Sequence, residues 1–162
     1  MQSISARYPL TVLVAEDNLI NQMLMNMMLD SLGYRADMAN HGREALEAIE
    51  HKVYDVILMD IEMPVMDGIE ASRAVRARFG QQDAPQIIAV TAHVLSGSRE
   101  RFLGAGMNDF VAKPILIDEL RSALIRAHEA KLRYRQTAEV ASPPTIASAT
   151  ACATSMPSIA AE

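Results

Sequence analysis

Five side chains capable of polar chemistry stand at the ends of short apolar runs. Glu16 and Asp17 follow Thr11–Ala15, Asp60 follows Val56–Met59, Thr91 follows Ile87–Val90, and Lys113 follows Phe110–Ala112. One more run, Arg35–Ala39, is followed only by Asn40. Two like charges about 4 Å apart repel by roughly 4 kcal/mol at an effective dielectric near 20. Three clustered carboxylates therefore call for a cation, or shift their pKa values upward. All-oxygen ligands with open positions favour Mg²⁺, with Mn²⁺ as the alternative, completed by waters and a phosphate. A carboxylate is a weak nucleophile, yet Asp60 can attack a phosphoryl group whose oxygens a metal and an amine neutralise. Lys113 is that amine, or the partner of Asp60 at rest. The plainer reading, in which Glu16 and Asp17 begin a helix and complement its dipole, suits either acid alone. It does not account for the pair together with Asp60 and Lys113.

The elements that must position this set follow from the hydrophobic pattern. Four of the five runs are too uniformly apolar for a one-sided sheet and read as parallel strands buried on both faces. Helical patterns lie between and after them, near 18–32, 42–51, 68–79, 96–104 and 117–134. Gly33, Gly80 and the Gly104/Gly106 pair end helices, and Asp118 is the expected N-cap of the last one. Leu120, Ala123, Leu124 and Ala127 share one face of that last helix. The alternation gives five βα units: an α/β fold with a doubly wound five-stranded parallel sheet and five helices. In such sheets sites form at the carboxyl ends of strands, beside a switch in strand order. Pro64 and Gly68 shape the loop after Asp60, and Asp67 reads as a turn or N-cap residue rather than a ligand.

The chain has 162 residues, half of them hydrophobic, and a formal net charge of -5. That apolar share supports a real core. No run of about 18 apolar residues exists, which excludes a membrane span, and the N-terminus lacks the apolar stretch of a secretory signal. The acidic balance argues against nucleic acid as a partner. The single cysteine, Cys152, excludes a disulfide framework and points to a reducing, cytoplasmic setting. Composition breaks near Gln136: 19 of the 27 residues in 136–162 are Ala, Ser, Thr or Pro. We read 8–134 as one domain and 135–162 as a flexible tail or linker in which Cys152 is inert. The basic stretch Lys131, Arg133 and Arg135 reads as a solvated face.

The motifs VAEDN (14–18), ILMDIEMPVMDG (57–68), AVTAH (89–93) and FVAKPI (110–115) resemble the receiver domain of two-component response regulators. AEDNLINQ (15–22) and AGMNDFVAKPI (105–115) narrow the resemblance to receivers attached to hybrid sensor histidine kinases. The resemblance covers about residues 9–130. It implies a flavodoxin-like strand order 2-1-3-4-5. It implies Asp60 as the phosphoacceptor from phosphohistidine, with Asp17, Asp60 and the backbone carbonyl of Glu62 on Mg²⁺ and Glu16 acting through water. Thr91 and Lys113 would bind phosphoryl oxygens, and Thr91 and Phe110 would form the switch. It implies a signalling domain rather than an enzyme, limited to its own phosphorylation and dephosphorylation, with any histidine kinase activity elsewhere. Partners would be a histidine kinase or histidine phosphotransfer domain and a downstream protein.

The first long helix carries Met23, Met25, Met27 and Met28 with Leu19, Ile20, Leu24, Leu29 and Leu32. Only one face can pack on the sheet, so apolar residues must spill round it. Ile20, Met23, Leu24 and Met25 are expected to form an adaptable docking patch, with Met27 and Met28 as core filler. Three other classes compete. An aspartate-nucleophile phosphohydrolase wants a second Asp two residues after the nucleophile, where this chain has Glu62. An FMN binder wants aromatic walls, which the lack of tryptophan argues against. An interaction module indifferent to phosphorylation would not need the full acidic set.

Overall fold

The computed structural model describes residues 2–81 and 83–141. Five parallel strands, β1 (Val12–Ala15), β2 (Ala36–Ala39), β3 (Val56–Asp60), β4 (Gln86–Thr91) and β5 (Asp109–Ala112), lie in the order β2-β1-β3-β4-β5. The helices are α1 (Ile4–Arg7), α2 (Leu19–Ser31), α3 (Gly42–His51), α4 (Gly68–Phe79), α5 (Ser98–Gly104) and α6 (Ile117–Ala141). Five of the six match the expected helices; the short α1 carries no periodic signal.

Strand alternation assigns the two faces, because successive side chains point to opposite sides. Leu13, Ile57, Met59 and Ile87 pack with Leu46, Ile49, Ile69, Val75 and Phe102 under α3, α4 and α5. Val12, Val14, Leu58, Ile88 and Val90 pack with Met25, Leu29, Leu120 and Leu124 under α2 and α6. Every residue of β1, β3 and β4 is buried, as two covered faces require. The edge strands β2 and β5 are only partly buried.

Local caps set the helix starts. Asn18 accepts from the backbone N–H of Ile20 and Asn21, and Asp67 accepts from that of Glu70 at 2.8 Å. Asp67 is thus the N-cap of α4, as expected. Asp118 is not an N-cap: α6 begins one residue earlier, and Asp118 sits in its first turn, paired with Arg121. α6 also runs through Ala141, so residues 135–141 of the expected tail are helical. Residues 142–162, including Cys152, lie outside the described residues. Lys131 is no solvated residue either: its ammonium pairs with Asp55, which also accepts from the backbone N–H of Thr11. Among the described residues no helix is long and apolar enough to cross a membrane.

Candidate functional site

Strand register brings the polar set to one edge. Asp60, the last residue of β3, lies opposite Val90 of β4. Hydrogen bonds continue the ladder past the strands: Ile61 N–H to Val90 O, Glu16 N–H to Ala39 O and Lys113 N–H to Thr91 O. Each tip residue is therefore held by its neighbour strand. Gly68 seals the approach, since a Cβ there would meet the Asp60 carbonyl oxygen at 2.1 Å.

Carboxylate oxygens of Glu16, Asp17 and Asp60 all lie within 4.8 Å of one another. Lys113 Nζ lies 3.1 Å from Glu16 and 3.0 Å from Asp60. Glu16 and Asp60 are each 4% exposed, while Asp17 opens to solvent. Three hard oxygen donors, one facing water, fit a Mg²⁺ ion that keeps several waters.

Two buried acids sharing one ammonium cannot both ionise freely. Burial pushes Asp60 up, Lys113 pulls it down, and the Glu16 charge pushes it up again, leaving it raised to about 6. Glu16 goes the other way. Burial raises it, but the Asn18 N–H, then Lys113 and Asn21, outweigh burial and hold it below the usual value. Lys113, lowered by burial, is raised on balance by its bonds to Asp60 and Glu16.

The sequence reading missed what holds Glu16. Its carboxylate accepts from Asn18 N–H at 3.1 Å and Asn21 Nδ2 at 3.3 Å. Gln22 Nε2 donates to its carbonyl oxygen at 2.6 Å and to Asn40 Oδ1 at 3.0 Å. The available signal was the Asn18-x-x-Asn21-Gln22 spacing, which places amides one helical turn after the acids.

Thr91 is buried, and its hydroxyl engages its own loop: it accepts from His93 N–H at 3.1 Å and donates to His93 O at 3.3 Å. The Glu62 N–H donates to Asp60 Oδ1 at 3.2 Å, while the exposed Glu62 side chain meets His93 Nδ1 at 3.1 Å. Phe110 is half-buried, its ring 6.0 Å from that of Phe102.

The docking patch on α2 needs correction. Ile20, Met23 and Leu24 are exposed, but Met25 is 3% exposed and packs in the core beside Leu29. Met25 and Leu29 stand at i and i+4 on the sheet-facing side. Met27, expected inside, is 66% exposed, whereas Met28 does pack against the core.

A doubly wound sheet with acids and a lysine at its switch point defines the class. The chain belongs to the response regulator receiver domain family, which matches residues 12–125. Histidine protein kinase 1 of Candida albicans is 46% identical over 138 residues, covering 78% of this chain. The chain spans 6% of that kinase's length. The receiver domain of a sensor histidine kinase from Pseudomonas aeruginosa, with a magnesium ion coordinated in its active-site cleft, is 44% identical. It superposes with a TM-score of 0.67, covering 74% of this chain and 98% of its own. The receiver domain of Saccharomyces cerevisiae Ssk1, solved with the histidine phosphotransfer protein Ypd1, is 29% identical with a TM-score of 0.66. It covers 70% of this chain and 85% of that one.

Proposed function

We propose that this receiver accepts a phosphoryl group from phosphohistidine onto Asp60 within a two-component phosphorelay. The observation that carries the reading is Lys113 Nζ, shared at 3.1 and 3.0 Å between Glu16 and Asp60, inside a cluster of three carboxylates. An Asp60 carboxylate oxygen attacks phosphorus, the P–N bond breaks, and its electron pair returns to the imidazole. Asp17, Asp60 and the Glu62 carbonyl hold Mg²⁺, with Glu16 acting through water. The bound ion supplies charge neutralisation for the transferring oxygens. Lys113 leaves its resting partners for one phosphoryl oxygen. Thr91 turns from His93 to another.

The aspartyl-phosphate carries about -1.5 to -2 charge. Its contacts with Thr91 and Lys113 favour one of two arrangements of the β4–β5 edge. Phe110 has no hydroxyl, so its part in that change is packing alone. Water attack at phosphorus, or return of the group to histidine, restores the carboxylate. The domain has no further reaction of its own, and its setting is cytoplasmic. The exposed Ile20, Met23 and Leu24 beside the site form the docking surface for a histidine kinase or histidine phosphotransfer domain. The Ssk1–Ypd1 pairing supports that choice of partner. A downstream protein reads the switched face.

Intact-mass analysis after acetyl phosphate and Mg²⁺ tests the acceptor. One added phosphoryl group is expected on the wild type, and none on Asp60→Asn or with a chelator. A phosphoryl group on Asp60→Asn, or none on the wild type, refutes it.

A further inference from the structure

Asn40 follows β2 and carries no chemistry of its own, yet a directed chain of hydrogen bonds ties it to the acid pair. The chain starts at Glu44, in the first turn of α3, whose N-terminus His41 caps. One carboxylate oxygen of Glu44 accepts from the Asn40 backbone N–H at 2.7 Å and from Asn40 Nδ2 at 2.9 Å. The Asn40 N–H is the main cause that holds the Glu44 carboxyl below its ordinary value, so at neutral pH it is ionised and can only accept. Asn40 must therefore turn its amide nitrogen to Glu44 and its amide oxygen toward α2. Gln22 Nε2 meets that oxygen at 3.0 Å and the Glu16 carbonyl oxygen at 2.6 Å. Both partners are acceptors, so a flipped Gln22 amide would set oxygen against oxygen. Gln22 stands one turn after the N-cap Asn18, and helical side chains lean toward the N-terminus, which aims it back at the tip of β1.

The carbonyl at the end of this chain belongs to the planar peptide that joins Glu16 to Asp17. Holding it fixes ψ of Glu16 and φ of Asp17, and with them the direction in which the Asp17 side chain leaves the backbone. The Glu16 carboxylate has its own partners in Asn18, Asn21 and Lys113. Asp17 is exposed, and among the described residues no hydrogen bond or ion pair reaches its carboxylate, so its backbone alone aims it at Glu16 and Asp60. We propose that Gln22 and Asn40, anchored by Glu44, are positioning residues that hold the Glu16–Asp17 peptide so that Asp17 is set for Mg²⁺. None of the three supplies a ligand atom. The inference rests on the reading of Glu16, Asp17 and Asp60 as the Mg²⁺ site. Groups that orient a metal ligand in this way typically matter by about 10–100-fold in metal affinity.

Calorimetric titration of the full chain with Mg²⁺ at about 0.15 M salt, where exposed charge is screened, tests this. Gln22→Met keeps the side chain's length and removes both donors; it should weaken Mg²⁺ binding about tenfold or more. Asn40→Leu should weaken it too, and the double variant no more than Gln22→Met alone, because the two act in one chain. Glu44→Gln touches neither acid, but its amide can donate as well as accept and so frees Asn40 to flip. A loss of at least about twofold is expected there, and this surface variant carries the test should Gln22→Met fail to fold. Glu47→Gln, the same change of charge one turn further along α3, should bind as the wild type. Urea denaturation separates positioning from mere stability: a structural loss lowers the midpoint equally with and without Mg²⁺, whereas lost positioning shrinks the increment that Mg²⁺ adds. Wild-type affinity in Gln22→Met or Glu44→Gln, additive losses in the double variant, or an equal loss in Glu47→Gln overturns the proposal and leaves the Mg²⁺ site standing. A wild type that does not bind Mg²⁺, or an Asp17→Asn variant that binds it as tightly, overturns the reading of the site and the proposal with it.

Discussion

Replacing Asp60 by Asn should stabilise the metal-free protein. Asp60 sits 4% exposed beside the ionised Glu16, and burial with that neighbour lifts it from 3.8 to about 6 despite Lys113. A folded-state value above the unfolded one means that the folded state binds its proton more tightly. The contribution is therefore full below about pH 3.8 and is lost as pH rises through 6. Two pH units at 1.36 kcal/mol each put the cost of the ionised carboxylate at about 3 kcal/mol at pH 7.5. Asn removes that charge at nearly constant volume, so a gain of about 1–3 kcal/mol is expected in EDTA at pH 7.5. At pH 5 the wild type has already recovered roughly half of the cost by protonation, and the gain should shrink to match. Urea denaturation reads this as a higher midpoint for Asp60→Asn with an unchanged slope. Magnesium should narrow the gap, since an ion that binds the folded wild type stabilises it by about 2.7 kcal/mol at a hundred times its dissociation constant. An Asp60→Asn midpoint at or below wild type in EDTA at pH 7.5 would refute the electrostatic account of the site.

Gly68→Ala should destabilise by more than about 2 kcal/mol and slow acetyl phosphate labelling. Its Cβ would meet the Asp60 carbonyl at 2.1 Å, and both atoms are fixed by backbone; denaturation and intact mass read the two effects. Met25→Ala should cost about 2–4 kcal/mol by leaving a core cavity, while Met23→Ala, 66% exposed, should lie within about 0.5 kcal/mol of wild type in the same assay. Met23→Glu should slow transfer from a histidine phosphotransfer donor yet spare acetyl phosphate, and equal loss with both donors would contradict the docking surface. Val65, two residues before the α4 cap, holds a φ of 68°, a conformation that costs a non-glycine residue about 1–3 kcal/mol. Val65→Gly should raise the unfolding free energy by about 0.5–2 kcal/mol, read as a higher urea midpoint, once glycine's own entropy cost is set against that relief.

The strands and the polar residues at their tips were legible because burial on both faces leaves uniformly apolar runs, each ending abruptly in a charge or hydroxyl. Asp67 was legible as a cap for a similarly local reason. What escaped was long-range or rotational. α2 is apolar nearly all round, so period alone could not tell Met25, which faces the sheet, from Met27, which faces water. Lys131 and Asp55 are far apart in sequence and meet only because α6 crosses back over the base of β3. The end of α6 was misread because an alanine- and threonine-rich composition resembles a linker. Alanine is nonetheless the best helix former, and the helix continues through Ala138 to Ala141. The Asn18, Asn21 and Gln22 clamp on Glu16 was written in the sequence, but amides beside acids carry no chemistry of their own to draw attention.

The charge count of the cluster explains why its apparent fault belongs to its function. Glu16, Asp17 and Asp60 against Lys113 leave a net of -2 when all are ionised, with two of the acids buried. A single lysine can reconcile only part of that: burial and the Glu16 charge leave Asp60 raised despite Lys113, while the Asn18 N–H together with Lys113 and Asn21 keeps Glu16 lowered despite its burial. A well-paired carboxylate would be more stable but would already be satisfied, with nothing to gain from a cation. Here a divalent ion would bring the set to neutrality, freeing Lys113 from two resting partners to meet an incoming anion. In the proposed transfer the phosphoryl group would bring further negative charge to the same spot, so without the ion it would join a site already at -2. On that reading, a requirement for a cation and instability in its absence are two expressions of one electrostatic arrangement.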